Sequence, residues 1–395
     1  MNDEATIDPR TVILLTSVMS AIMSSVLFSV YRDLHSNING IGRWALGSLI
    51  LAVTAVLFGL REVIPDWLSV IVANAGLLCG VGLWLVGTQL FYGRKPSWAS
   101  VSAATILTMA CVSWWLLVEP AYTLRLTSIT GCLLGLYGVQ LLLVVRYGVR
   151  HSSTYFLAFV LLLQIVVLLI RGVTSLLPTL VQSNFLSPDL IQAIYFATYS
   201  FVTLLLALGF VMVATHRLNM ELKWYATRDP LTGVFNRRAF AEIYQREYQV
   251  AQRTGGTLAL LIVDLDHFKA INDKYGHDVG DKVLVDFCRR ANAVLVNGTS
   301  MARLGGEEFA VLLRGVSLED ASAQAERIRL SLLQDGDNEL PGYTCSVGVA
   351  TTAKDGSALE QLLRVADDAL YHAKREGRNR VESMKTSFEI RSAPE

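Results

Sequence analysis

Three segments of this 395-residue chain carry side chains suited to phosphate and nucleotide chemistry. The first is Asp264-Leu265-Asp266-His267-Phe268-Lys269-Ala270-Ile271-Asn272-Asp273, continuing to Gly276-His277-Asp278-Val279-Gly280-Asp281. An acid that closes an apolar strand sits near a sheet edge. There it can hold Mg²⁺ through oxygen while the ion keeps waters and substrate phosphates. The second segment is Arg303-Leu304-Gly305-Gly306-Glu307-Glu308-Phe309. Two glycines between apolar strands make a tight hairpin turn and remove side chains where a nucleotide must approach the backbone. Glu307 at the turn exit can complete a metal site with Asp264. The third runs from Asp368 to Arg380, where Lys374 and Arg378 are four apart and can meet one phosphate chain. Singly, each also has an ordinary reading: a surface turn, a helix-capping acid, or a basic helix end facing its dipole.

These groups need a scaffold of alternating helices and strands. Arg237–Arg253 reads as a helix and leads through Gly255-Gly256 to Leu258–Asp264, an apolar run ending in acid. Val279, Val283, Phe287 and Ala291 give helical spacing over Asp278–Leu295. Phe309–Leu313 and Thr344–Thr352 read as strands, and Ser317–Leu333 and Leu359–Arg375 as amphipathic helices. The pattern predicts one α/β or α+β domain of roughly 165 residues, with a loose tail after about Ser383.

Taken in order, the set resembles the GGDEF family of diguanylate cyclases, here in the Gly-Gly-Glu-Glu-Phe form. The resemblance covers about Asp229 to Val381. It includes the opening Asp229-Pro230-Leu231-Thr232-Gly233 and the Asp-x-Asp-x-Phe-Lys-x-x-Asn-Asp run from Asp264. It continues through the signature turn, Ser346-Val347-Gly348-Val349-Ala350, and the closing Ala373-Lys374 with Gly377-Arg378-Asn379. It implies a nucleotidyl-cyclase fold with a central, mainly antiparallel sheet flanked by helices. It also implies condensation of two GTP into cyclic di-GMP and two pyrophosphates, in a homodimer whose protomers each supply half a site. By the same resemblance Asp264, the Leu265 carbonyl and Glu307 hold Mg²⁺ (or Mn²⁺), with Glu308 beside them. Glu307 also matches the general base on the 3′-hydroxyl. Asn272 and Asp281 match the guanine readers, Phe268, His277 and Gly306 the pocket lining, and Lys374 and Arg378 the phosphate contacts, to which Lys269 adds another.

One departure stands out. Active relatives often carry an Arg-x-x-Asp product-inhibition motif whose Asp lies six residues before the signature turn. Val296 and Thr299 occupy those positions, so feedback by cyclic di-GMP there is not expected. No Glu-Ala-Leu phosphodiesterase domain is expected in the chain either.

Composition separates a second region. Residues 1–214 hold 10 Lys/Arg and 8 Asp/Glu, whereas residues 215–395 hold 24 and 26. The whole is 52% hydrophobic and 17% charged, which excludes a wholly soluble enzyme and a disordered scaffold. No basic field points to nucleic acid. The five cysteines lie far apart and show no metal-ligand spacing.

A bilayer-spanning helix needs about 20 mostly apolar residues. Seven stretches meet or approach this: Thr11–Tyr31, Trp44–Leu60, Leu68–Tyr92, Ala99–Val118, Leu126–Val145, Tyr155–Ile170 and Ile191–Ala214. With the C-terminus cytoplasmic, the inner connections carry eight basic residues against four outside, so the positive-inside rule puts the N-terminus outside. This predicts a protein of the inner (cytoplasmic) membrane. None of the seven stretches contains Asp, Glu, Lys, Arg or His, which argues against a transporter. Gln140, Gln164, Asn74 and Ser24 read as interhelical hydrogen-bonding groups. A pocket for an unknown sensory ligand fits between the helices or in the Arg171–Leu190 loop.

Val211, Leu218, Leu222 and Tyr225 continue an apolar seam for about two heptads, up to Arg228-Asp229-Pro230. The expected organisation is a seven-helix transmembrane region over 1–214 and a helical linker over 215–228. A GGDEF domain follows over 229–383, with a tail over 384–395. The expected function is a membrane-bound diguanylate cyclase. The rival is a non-catalytic GTP or cyclic di-GMP receptor on the same fold.

Overall fold

The computed structural model describes residues 9–33, 38–176, 190–296, 298–333, 340–352 and 358–385. It divides into two compact units, Met1–Asn219 and Met220–Glu395. The division falls inside a continuous 38-residue helix, not after Ala214.

The first unit contains the helices α1 (Pro9–Asp33), α2 (Ile41–Gly59), α3 (Ala73–Phe91), α4 (Trp98–Leu117), α5 (Tyr122–Tyr147) and α6 (Ser152–Ser175). The long helix α7 (Leu190–Thr227) begins here. A π-helical turn, Trp67–Val72, leads into α3. All seven are long and apolar enough to cross a membrane. Helices α2, α5 and α6 extend beyond their apolar stretches at one or both ends, and the added turns carry Arg43, Arg125, Arg146 and Arg171. The helices themselves are therefore not free of charged residues, as the seven stretches are.

Close packing of α2 on α3 depends on small residues. A Cβ on Gly47 would lie 2.7 Å from the Gly80 carbonyl, and one on Gly87 would lie 2.6 Å from Trp44. There Trp44 Nε1 donates to the Trp84 carbonyl and Trp84 Nε1 to the Trp44 carbonyl, each at 3.2 Å. Of the four expected interhelical partners, Gln140 donates to Thr88 Oγ1 at 2.9 Å and Ser24 to the Ala45 carbonyl at 3.0 Å. Asn74 instead donates to Val70 of its own turn, and the buried Gln164 amide has no partner among the described residues. Of the Arg171–Leu190 loop, residues 177–189 lie outside the described residues.

The second unit is a six-stranded sheet: β1 (Phe235–Asn236), β2 (Leu258–Leu265), β3 (Ser300–Gly305), β4 (Glu308–Arg314), β5 (Cys345–Thr351) and β6 (Val381–Lys385). Its order is β1-β3-β4-β2-β5-β6. The β3–β4, β4–β2 and β2–β5 pairings are antiparallel, and the two edge pairings, β1–β3 and β5–β6, are parallel. The sheet is mixed, with an antiparallel centre. Residues 384 and 385, expected to lie in the tail, extend β6 along Ala350 and Thr351; residues 386–395 lie outside the described residues.

Every residue of β2 is buried, because helices cover both faces. Alternation along the strand sends Leu258, Leu260 and Ile262 toward α8 (Arg237–Thr254) and α12 (Leu359–Arg375). It sends Ala259, Leu261, Val263 and Leu265 toward α9 (Phe268–Tyr275), α10 (His277–Val294) and α11 (Leu318–Ser331). Asp264 follows the even-numbered set, and this places its carboxylate on the α8/α12 side.

Candidate active site

The central strand delivers Asp264 to its end, and antiparallel register puts Glu308 of β4 directly across from it. Directly opposed residues of an antiparallel pair share a face with Cβ atoms about 5 Å apart, so two carboxylates are brought together. Lys374, in the last turn of α12, answers this charge: its Nζ lies 2.8 Å from Asp264 Oδ2. Asp264 is 6% exposed, and a carboxylate so buried requires a partner. Glu308, Lys374 and Asp367 also line one open cavity between α8 and α12, with Arg237 and Tyr371 on its wall. Burial, then the neighbouring Glu308 and Asp368, push the Asp367 carboxyl up, and Lys374 opposes the shift. Sequence reasoning missed Asp367. Its signal was the i, i+7 spacing that puts it on the Lys374 side of α12, and only the sheet register reveals that this face meets Glu308.

Helix α12 lies against β5 because residue 348 is glycine. A Cβ there would fall 2.1 Å from the Ala366 carbonyl and 2.4 Å from the Leu370 nitrogen. The reach of Lys374 therefore depends on this one missing side chain. Arg378 does not follow Lys374 by a helical four-residue step. The helix ends at Arg375, and Arg378 and Asn379 take left-handed conformations at φ 61° and 45°. Arg378 is exposed beyond the helix.

Glu307 sits in the β3–β4 turn beside Gly306, whose φ is 48°. Its carbonyl faces the Leu265 nitrogen at 3.4 Å, and its carboxylate makes no hydrogen bond or ion pair among the described residues. The turn is tied to the domain opening by Arg303, which donates to the Gly306 carbonyl at 2.9 Å and to Asp229 Oδ1 at 3.2 Å. Asp229 in turn accepts from the Thr232 nitrogen and hydroxyl. Burial pushes the Asp229 carboxyl up, but these Thr232 bonds and Arg303 hold it below its ordinary value.

Asp266, two residues past Asp264, faces elsewhere. It accepts from Thr344 Oγ1, Ser346 Oγ and the Asn379 nitrogen at 2.7, 2.7 and 3.0 Å. It braces the strand end and the segment after α12. His267 enters the next turn at φ 56° and starts α9.

On the other side of the strand end, Asn272 of α9 packs on Gly280 of α10. Its Oδ1 would lie 1.9 Å from a Cβ at 280, and Phe268 also lies against that position. Phe268 is 6% exposed and belongs to the core beneath Asn272, where it supports the amide. Asp281, His277 and Lys269 are exposed around this edge. The structure thus forms two groups: Asp264, Glu308, Asp367 and Lys374, and Phe268, Asn272 and Gly280. Among the described residues, no three acidic, histidine or cysteine side chains converge as a metal cluster. The oxygens of Asp264 and Glu307 and the Leu265 carbonyl are nonetheless the hard donors that a divalent cation prefers when phosphates and waters complete its shell.

The family description "Diguanylate cyclase, GGDEF domain" matches residues 226–380. An uncharacterized Bacillus subtilis protein, YhcK, is 44% identical over 173 residues, spanning 42% of this chain and 48% of that protein. Diguanylate cyclase DgcM of Escherichia coli is 39% identical over 165 residues, covering 42% of this chain and 40% of its own. A solved structure of the active GGEEF domain of a Vibrio cholerae diguanylate cyclase is similar at 32% identity. It covers 38% of this chain and 98% of that one, with a TM-score of 0.36. The chain spans about half the length of the curated relatives that it matches.

Proposed function

From the membership of residues 226–380 in the GGDEF domain family of diguanylate cyclases, we propose that this chain is a membrane-anchored diguanylate cyclase. It condenses two GTP to cyclic di-GMP and two pyrophosphates, and the seven-helix region controls it. The observation that carries the reading is the meeting of Asp264, Glu308 and Lys374 at the end of the central strand, beside the Gly305-Gly306 turn.

Asp264, Glu307 and the Leu265 carbonyl would hold a divalent cation, Mg²⁺ or Mn²⁺, with Glu308 beside them; the bound ion would neutralise triphosphate charge. Lys374 then turns from Asp264 to the phosphates, and Arg378 and Lys269 add positive charge. Asn272 and Asp281 read the guanine edge, because an acid accepting from the ring N–H and the exocyclic amine rejects adenine. His277 and the bare backbone at Gly306 leave room for the nucleotide. Glu307 takes the proton from the 3′-hydroxyl. The 3′-oxygen attacks the α-phosphorus of the nucleotide held by the partner protomer, and pyrophosphate leaves. Two such steps close the ring, so a homodimer is required. Exposed Leu222 and Tyr225 on the linker helix are suited to joining the protomers.

The full chain in membranes, incubated with GTP and Mg²⁺, is expected to yield cyclic di-GMP by mass spectrometry. Glu307→Gln should remove the product while leaving the fold intact. GTP binding without product would favour the receptor reading. A reporter fused after Glu395 should be active only in its cytoplasmic form if the N-terminus lies outside the inner membrane.

A further inference from the structure

The first unit contains a cavity, open on one side, at the end of the helices where α5 begins and α2 and α6 finish. Its walls are mostly apolar, with Leu77, Val112 and Leu168 among them, yet Arg61, Arg125 and Arg171 all reach it. Arg61 and Arg125 are near enough to repel each other, and Tyr122 interacts with both Arg61 and Arg171.

Two ordinary explanations cover only part of this. A cation at a helix C-terminus complements the dipole, which accounts for Arg61 just past α2 but not for Arg171, which lies before the last turn of α6. Arg125 lies in the first turn of α5, where the dipole opposes a cation. Arginines near a membrane surface also extend toward water. Arg171, however, is packed against the rings of Tyr195 and Phe196, at 5.3 and 5.9 Å, and Arg125 Nε is buried without an acceptor. Glu62 and Asp66 act on Arg61, and Glu62 is bonded to Arg10 at 2.6 Å. Among the described residues no carboxylate pairs with Arg125 or Arg171.

We propose that this cavity binds an amphiphilic organic anion, its head held by Arg125 and Arg171 and its apolar body among the helices. Guanidinium forks bind carboxylate or phosphate in two parallel hydrogen bonds, and the apolar wall selects a hydrocarbon body over a small inorganic ion. This assignment does not rest on the cyclase reading.

Calorimetric titration of the full chain in phosphatidylcholine nanodiscs tests it, with hexanoate as the probe. Saturable binding is expected, with hexanol and hexylammonium at least tenfold weaker. Arg125→Gln and Arg171→Gln should each weaken hexanoate at least tenfold. Leu126→Trp, which fills the cavity and leaves the arginines, should do the same; helical content by circular dichroism checks each variant. Nanodiscs containing phosphatidylglycerol separate the sources. An unchanged isotherm means that the anion comes from solution, and a displaced one means that a lipid headgroup takes the same site. No saturable hexanoate binding by the unmodified chain, or equal binding of hexanol, overturns the proposal.

Discussion

Lys374 Nζ stands 2.8 Å from Asp264 Oδ2, joining the last turn of α12 to the end of the central strand. The ammonium offsets one of the negative charges that Asp264, Glu308 and Asp367 gather there. Lys374→Met should therefore act in two directions. The GTP KM should rise roughly tenfold or more, as one charge-assisted contact is lost. Divalent-cation binding without nucleotide should tighten, because the metal no longer competes with an ammonium for Asp264. Steady-state kinetics and Mn²⁺ titration by electron paramagnetic resonance check the two effects, and no change in either would detach Lys374 from the site.

Asp281→Ala should raise the GTP KM or erase discrimination against ATP. The residue follows Gly280, on which Asn272 is seated, so one α9–α10 contact sets both residues proposed to read guanine. Competition between GTP and ATP measures this. An unchanged preference would place the base elsewhere.

Gly348→Ala should destabilise the second unit by about 1–3 kcal/mol, the usual cost of overpacking. The added Cβ meets backbone atoms of α12, at Ala366 and Leu370, which cannot rotate away. Turnover should fall as well, because the displaced helix carries Lys374. Gly342→Ala, where a Cβ meets nothing within 4 Å, is the neutral control. Chemical denaturation of the full chain with both variants makes the comparison.

Acid should loosen the signature turn through Asp229. Its folded value is held below the ordinary 3.8. The stability that it contributes is therefore complete above that value and is lost as pH falls through the lower, folded one. Asp229→Asn should flatten the dependence of thermal stability on pH below about 4. A wild-type slope that survives the substitution would assign the acid sensitivity to another group.

Much of this was legible from local pattern. Leu359–Arg375 was readable to the residue, because its apolar positions repeat at helical spacing and a basic last turn marks its end. The register that opposes Asp264 to Glu308 was not, since pairing depends on which strands meet across the 43 residues of intervening chain. The edge strands were also missed. Strand β1 has two residues, and β6 carries Glu382 and Lys385 and runs across the expected start of the tail at residue 384. The arginines of the helical region were visible as flanking charges. Their convergence on one cavity is a property of helix ends that are far apart in sequence.

The last expectation concerns feedback. At the inhibitory positions Val296 is half-exposed, and the Thr299 hydroxyl is spent on the Val296 carbonyl at 2.7 Å. The nearby Arg314 does not replace the missing cation. Its guanidinium donates to the Gly298 carbonyl at 2.6 Å and pairs with Glu247 at 3.1 Å. Two charge-assisted contacts to product are thus absent, each worth roughly 1.5–3 kcal/mol. Losing both should weaken product binding there by about two to four powers of ten. Progress curves should run on without slowing as micromolar cyclic di-GMP accumulates, apart from competition at the GTP site. Restoring the pair with Val296→Arg and Thr299→Asp should introduce non-competitive inhibition. The same inhibition in the unmodified chain would show that product is held by other residues.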